Sequence, residues 1–106
     1  MPRQVPIGER QRFALQRPCA VEVEGRQIAV FFREGQFFAL DDLCPHKDAP
    51  LSEGGFTSEA GRLWVWCPWH RFLFDLETGQ CDRSGFDTRA YTIEERQDIL
   101  YIELPD

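Results

Sequence analysis

At 106 residues the chain is the size of one domain, with a net charge of −6 and nine phenylalanines and three tryptophans against a single methionine. The acidic balance argues against nucleic acid and against an anionic membrane surface as partner, and permits docking onto a basic patch of another protein. No run reaches the length of a membrane helix, and the N-terminal MPRQVPIGERQRF lacks the apolar stretch of a secretory signal. The expectation is a cytoplasmic, soluble protein without a membrane partner. In such a compartment four cysteines read first as metal ligands or free thiols. A core of this size is modest, and a staple such as a metal would help it.

Taken in chain order, short apolar runs are broken by turn residues at close spacing. VEVEGRQIAVFF, at 21–32, predicts strand, turn at Glu24–Gly25, strand. FFREGQFFAL, at 31–40, repeats the device with Glu34–Gly35. CPHKDAP, at 44–50, then interrupts the strands with a cluster of chemistry-bearing residues. PLSEGGFTSEAGR, at 50–62, is the longest polar stretch and predicts a loop or loose hairpin. RLWVWC and FLFDL are rich in residues that favour strands, and FLFDLETGQC turns at Thr78–Gly79. RAYTIEERQDILYIEL, at 89–104, predicts a last hairpin turning near Arg96–Asp98. No segment holds a helical period over three turns. Many short strands at regular spacing predict an all-β sandwich or barrel-like domain, with both Cys/His stretches on loops at strand ends.

Those two stretches carry the chemistry. The chain has two histidines, His46 and His70, and each follows a cysteine closely: Cys44-x-His46, then twenty residues, then Cys67-x-x-His70. Pro45 and Pro68 directly follow the cysteines and stiffen each loop. Three readings compete. A tetrahedral zinc site would use two Cys and two His, but zinc spacing usually groups the cysteines in one arm and the histidines in the other. Buried cysteines with incidental histidines would need both histidines of the chain to fall beside prolyl-cysteines by chance. An iron–sulfur cluster in which two His replace two Cys on one iron suits mixed arms, because each loop can send Cys to one iron and His to the other.

CPHKDAPLSEG, CPWH and FDLETGQC together resemble the Rieske 2Fe–2S ferredoxin family, most specifically over 44–81. The resemblance implies stacked antiparallel sheets with a cluster-binding tip made of two loops. It also implies a single domain over 1–106, with the cluster-binding part at about 41–84. One 2Fe–2S cluster would be held by Cys44 and Cys67 on the inner iron and by His46 and His70 on the outer. The implied function is one-electron transfer, with no catalytic residue in this chain. The electron would pass from an NAD(P)H-linked flavin reductase to an oxygenase, or through the small subunit of a nitrite reductase, which the CPHK form resembles. The rival from another class is a zinc-stabilised β-domain that binds a protein partner.

Several departures are informative. Respiratory members of the family resemble this pattern with an extra cysteine in each loop, joined as a disulfide; Ala49 and Trp69 stand there instead. High-potential members resemble a pattern with Ser two residues and Tyr four residues after the second His; Phe72 and Phe74 stand there, and neither donates a hydrogen bond. DRSGFDT, at 82–88, lacks the prolines often seen over the cluster, and the TSEAGR segment lengthens the gap between the loops. Cys19 and Cys81 fit no ligand spacing and read as small, partly buried thiols. Trp64 and Trp66 share one face of a strand, expected to be covered, while Trp69 between two ligands is a candidate for core or for docking. Asp41, Asp42 and Asp48 near the first loop predict a basic partner surface.

Overall fold

The computed structural model describes residues 3–15, 17–44, 49–69 and 71–105. Its strands are β1 (Arg3–Glu9), β2 (Cys19–Val23), β3 (Arg26–Arg33), β4 (Gln36–Asp41), β5 (Gly55–Glu59), β6 (Arg62–Trp66), β7 (Leu73–Asp75), β8 (Ala90–Tyr91), β9 (Ile93–Arg96) and β10 (Ile99–Leu104). A four-residue helix, α1 (Arg10–Phe13), and a 3₁₀ turn at Leu51–Glu53 are the helical pieces among the described residues. The all-β expectation holds. α1 is too short to show a sequence period, and it exists to seat the buried Phe13.

The strands form three antiparallel sheets in the orders β1-β10-β9, β2-β3-β4-β8 and β5-β6-β7. Alternation along β3 explains how they stack. Ala29 and Phe31 point to one side and Ile28 and Val30 to the other, and all four are fully buried. Ala29 and Phe31 pack with Phe38, Leu40, Val65 and Phe74, a core that reaches across to the β5-β6-β7 sheet. Ile28 and Val30 pack with Ala39, Tyr91, Leu100, Ile102 and Leu104, a second core shared with the terminal sheet. The β2-β3-β4-β8 sheet is therefore the middle layer. A strand buried on both faces carries a continuous apolar run, which is why IAVFF and FFAL show no polar alternation.

Four two-residue turns join neighbouring strands. Glu24–Gly25, Glu34–Gly35, Ala60–Gly61 and Gln97–Asp98 all hold positive φ at both positions, between 50° and 82°. This turn geometry matches the twist of the strands it connects. Of the two expectations for the polar stretch after the first Cys/His loop, loop or loose hairpin, the hairpin holds and is regular, with β5 pairing β6 from Gly55↔Trp66 to Glu59↔Arg62. Its register was hidden because Thr57, Ser58 and Glu59 are polar and the pairing is carried by the backbone. Asp75 locks the next turn: its carboxylate accepts the Glu77 amide at 2.7 Å and pairs with Arg62, whose Nε lies 2.7 Å away.

Gly54 ties the hairpin to the second ligand loop. A Cβ at this position would lie 1.9 Å from the Trp66 carbonyl oxygen, so only glycine lets the two backbones meet. Gly54→Ala is expected to destabilise the fold by about 1–3 kcal/mol, the usual cost of overpacking against fixed backbone. Urea unfolding followed by tryptophan fluorescence reads this out, and a midpoint equal to that of the unsubstituted protein contradicts the close approach.

Candidate metal centre

The first loop leaves the middle sheet at the end of β4 and is tied at its neck. The Cys44 amide donates to the Ala49 carbonyl at 2.8 Å, and Leu43 bridges Pro50. The Leu51 amide donates to the Asp42 carbonyl at 2.6 Å, and the Ser52 amide to Asp42 Oδ1 at 2.8 Å. Each bond satisfies a polar group that would otherwise be stranded beside the core. The second loop leaves β6. The Cys67 amide donates to the Phe72 carbonyl at 2.8 Å, closing the loop before β7, and the Trp69 amide donates to Cys67 Sγ at 3.4 Å. His46 and His70, the other two expected ligands, lie outside the described residues, as do Pro45, Lys47 and Asp48.

Cys44 and Cys67 are both fully buried and belong to the same core cluster. The Cys67 thiol is pushed up to about 11, first by burial and also by the neighbouring Cys44 thiol. Two loops separated by a long stretch of sequence thus bring two thiols to one place. Two thiolates side by side in an apolar pocket would repel each other, and a cationic metal core relieves both the repulsion and the burial cost.

Cys81 departs from its expected blandness. It is buried in the same cluster, bridges Phe74 and is close enough to be felt electrostatically by Cys67. Its amide donates to Asp87 Oδ1 at 2.9 Å, and its thiol is pushed up, chiefly by burial. Spacing could not reveal this neighbour, because it arrives from the turn after β7 and not from a ligand loop. Cys19 is half-buried on β2 and belongs with the other core, as expected of a small thiol.

The aromatic residues divide by face. Phe72 and Phe74 are buried in the core beside the two thiols, and Phe86 packs edge-on against Phe72 with ring centroids 5.3 Å apart. Phe86 thus covers the side where prolines were missed. Trp69 is 57% exposed, which settles its place on the surface, and Leu43 is exposed beside the first cysteine. Trp64 and Trp66 do share a face, but it is the outer one and only half-buried; Val65 between them fills the core. Guanidinium groups cover these indoles, Arg62 over Trp64 at 4.8 Å and Arg71 over Trp66 at 4.8 Å.

Asp41 and Asp42, the described acidic residues expected to dock near the first loop, are not free charges. Asp42 is buried and its carboxylate is occupied by the Ser52 amide. Asp41 accepts the Tyr91 hydroxyl at 2.5 Å, and Arg26 in turn donates to that hydroxyl at 3.1 Å. The Tyr91 phenol is pushed up, first by burial and then by its bond to Asp41.

Among the described residues no helix is long and apolar enough to cross a membrane. The sequence model of the Rieske 2Fe-2S domain matches residues 3–92. The anthranilate 1,2-dioxygenase ferredoxin subunit of Burkholderia cepacia is 38% identical over 90 residues, covering 83% of this chain and 80% of that one. The NAD(P)H nitrite reductase of Emericella nidulans is 31% identical over 86 residues, covering 74% of this chain; the chain spans only 8% of that protein's length. Among solved structures, one described as an NADH-dependent nitrite reductase small subunit from Mycobacterium tuberculosis superposes with a TM-score of 0.91. That likeness covers 100% of this chain and 98% of the other at 20% identity, and so speaks for the fold. With buried cysteines from two loops meeting under a three-sheet stack, and with the family's sequence model matched over most of its length, the chain belongs to the Rieske 2Fe–2S domain family.

Proposed function

We propose that this chain is a one-electron carrier holding one 2Fe–2S cluster through Cys44 and Cys67 on the inner iron and His46 and His70 on the outer. The observation that carries the reading is the meeting of two fully buried thiols from the two motif loops. The donor set fits the group: two buried cysteines meet there, and the Cys67 thiol, whose proton burial favours, would become a ligand once a metal core replaced that proton. When bound, the cluster supplies reversible one-electron chemistry. The protein's own residues would hold it, with Phe72, Phe74 and Cys81 packed in one core with the two thiols, and the Trp69 amide on Cys67 Sγ would tune it.

Residues 1–106 act in this reading as a single unit with its cluster-bearing part at about 41–84. The terminal strands support this, because β1 pairs β10 and closes the second core. Both histidines serve as ligands, so catalysis belongs to a partner. The electron comes from an NAD(P)H-linked flavin reductase and goes to an oxygenase, a role supported by the dioxygenase ferredoxin that matches along most of its own length. Service as the electron-transfer small subunit of a nitrite reductase is the second reading, supported by the fungal relative. Four cysteines without a disulfide suit the reducing cytoplasm. The zinc-stabilised binding module draws no support from the relatives.

Purified protein is expected to be red-brown and to contain two irons and two acid-labile sulfides per chain. Cys67→Ser should abolish the visible absorbance and lower the melting temperature, because losing an anionic ligand removes the staple along with the centre. Cys81→Ser should keep the absorbance, since that thiol is a neighbour and not a ligand. One zinc and no sulfide in the unsubstituted protein, or full absorbance in Cys67→Ser, rejects the ligand set.

The reduction potential is expected near the low end of the Rieske range, about −150 mV and at most slightly above zero. Hydrogen bonds donated to ligand sulfurs favour the reduced state. Phe72 and Phe74 are buried where high-potential members place hydroxyl donors, and neither side chain can donate, while the Trp69 amide donates to Cys67 Sγ. Protein-film voltammetry at neutral pH measures the midpoint, and a value above about +100 mV contradicts the argument from the two phenylalanines.

A further inference from the structure

Asp42 and Asp75 are the buried acidic side chains among the described residues, and the fold treats their charges differently. Asp75 is paired with Arg62. Asp42 is paired with no cation among the described residues. Its carboxylate accepts a backbone amide instead, from Ser52 at 2.8 Å. A buried charge is ordinarily matched by a cation or a metal, because one amide dipole offsets only part of the cost of leaving water.

The place of this charge is informative. Asp42 stands two residues before Cys44, so the two α-carbons lie within about 7 Å of each other along the chain. Its main chain is fixed on both sides. The Asp42 amide donates to the Gln27 carbonyl on β3 at 2.8 Å, and the Asp42 carbonyl accepts the Leu51 amide at 2.6 Å. Leu51 is fully buried in the same core cluster as Cys44 and Cys67. Through its carbonyl and its carboxylate, this one residue therefore receives two consecutive amides, Leu51 and Ser52, of the arm that returns from the first ligand loop.

We propose that Asp42 is a positioning residue for the candidate centre, its carboxylate holding the returning arm of the first ligand loop and its negative charge lowering the reduction potential. The electron that arrives at the centre is a second negative charge near the same poorly solvated core. The carboxylate opposes it and so favours the oxidised state, since potentials of such centres follow the net charge around them. This effect is separate from the missing hydroxyl donors at Phe72 and Phe74 and acts in the same direction. The proposal rests on the electron-carrier reading and assigns a residue that sets the energy of the transferred electron.

Protein-film voltammetry at neutral pH on the holoprotein, with Asp42→Asn and Asp42→Ala, separates the two effects. Asparagine removes the charge and keeps an oxygen that accepts the Ser52 amide; alanine removes both. Both variants are expected to raise the midpoint by a shift equivalent to a roughly tenfold change in the ratio of oxidised to reduced protein, about 59 mV for one electron. The melting temperature should fall in Asp42→Ala and be held in Asp42→Asn. A merely structural carboxylate would give the same melting temperatures and leave the Asp42→Asn midpoint where it was. A midpoint in Asp42→Asn equal to or below that of the unsubstituted protein overturns the proposal, and so does an equal loss of melting temperature in both variants. If Asp42→Ala yields no folded protein, the Asp42→Asn midpoint decides alone. Unsubstituted protein that carries no cluster would reject the electron-carrier reading instead, while the melting temperatures would still report the hold of Asp42 on the loop.

Discussion

A sheet with apolar side chains on both faces has to be covered twice. In β3 and β4 this requirement organises the whole molecule, because Ile28, Ala29, Val30 and Phe31 are buried in succession and so are Phe38, Ala39 and Leu40. The terminal strands β1, β9 and β10 cover one face, and β5, β6 and β7 with the two ligand loops cover the other. Fully burying a side chain of this size is worth roughly 1.5–3 kcal/mol, so neither cover can be spared in a chain this small.

The candidate metal centre is part of the second cover and not an appendage to it. Cys44 and Cys67 pack in the same cluster as Phe31, Leu40, Leu51 and Val65. The backbone bonds that close each loop, Cys44 to Ala49 and Cys67 to Phe72, also shape the edge of this core. Site and fold therefore share their contacts. Closing the loops orders the thiols, and a metal on the thiols would in turn hold the loops down.

Charge follows a different logic from packing. Net charge governs the far field, but a docking surface is decided by which groups are free at short range, within a Debye length of about 8 Å at physiological salt. Asp41, Asp42 and Asp75 are held by a hydroxyl, backbone amides or Arg62, whereas Arg71 and Arg83 rest over aromatic rings.

The sequence by itself determined the strands with strong local signals. Glu24–Gly25 and Glu34–Gly35 are turns because glycine takes the second positive φ without cost, and the apolar runs on either side must pair. It also determined the four candidate ligands, since mixed Cys/His arms joined to proline are chemically distinctive in a short stretch. What it could not carry was anything fixed by long-range packing. The β5–β6 hairpin is polar and pairs through its backbone, so its sequence read equally as a loop or a loose hairpin. The face of Trp64 and Trp66 was legible but not which side the core lay on, because alternation gives a period and not a direction. Cys81 joined Cys44 and Cys67, and Asp41 and Asp42 lost their freedom, through contacts between separate segments of the chain. Local turn chemistry and ligand spacing are written in neighbouring residues; burial, partnership and the sign of a surface are decided only when the three sheets stack.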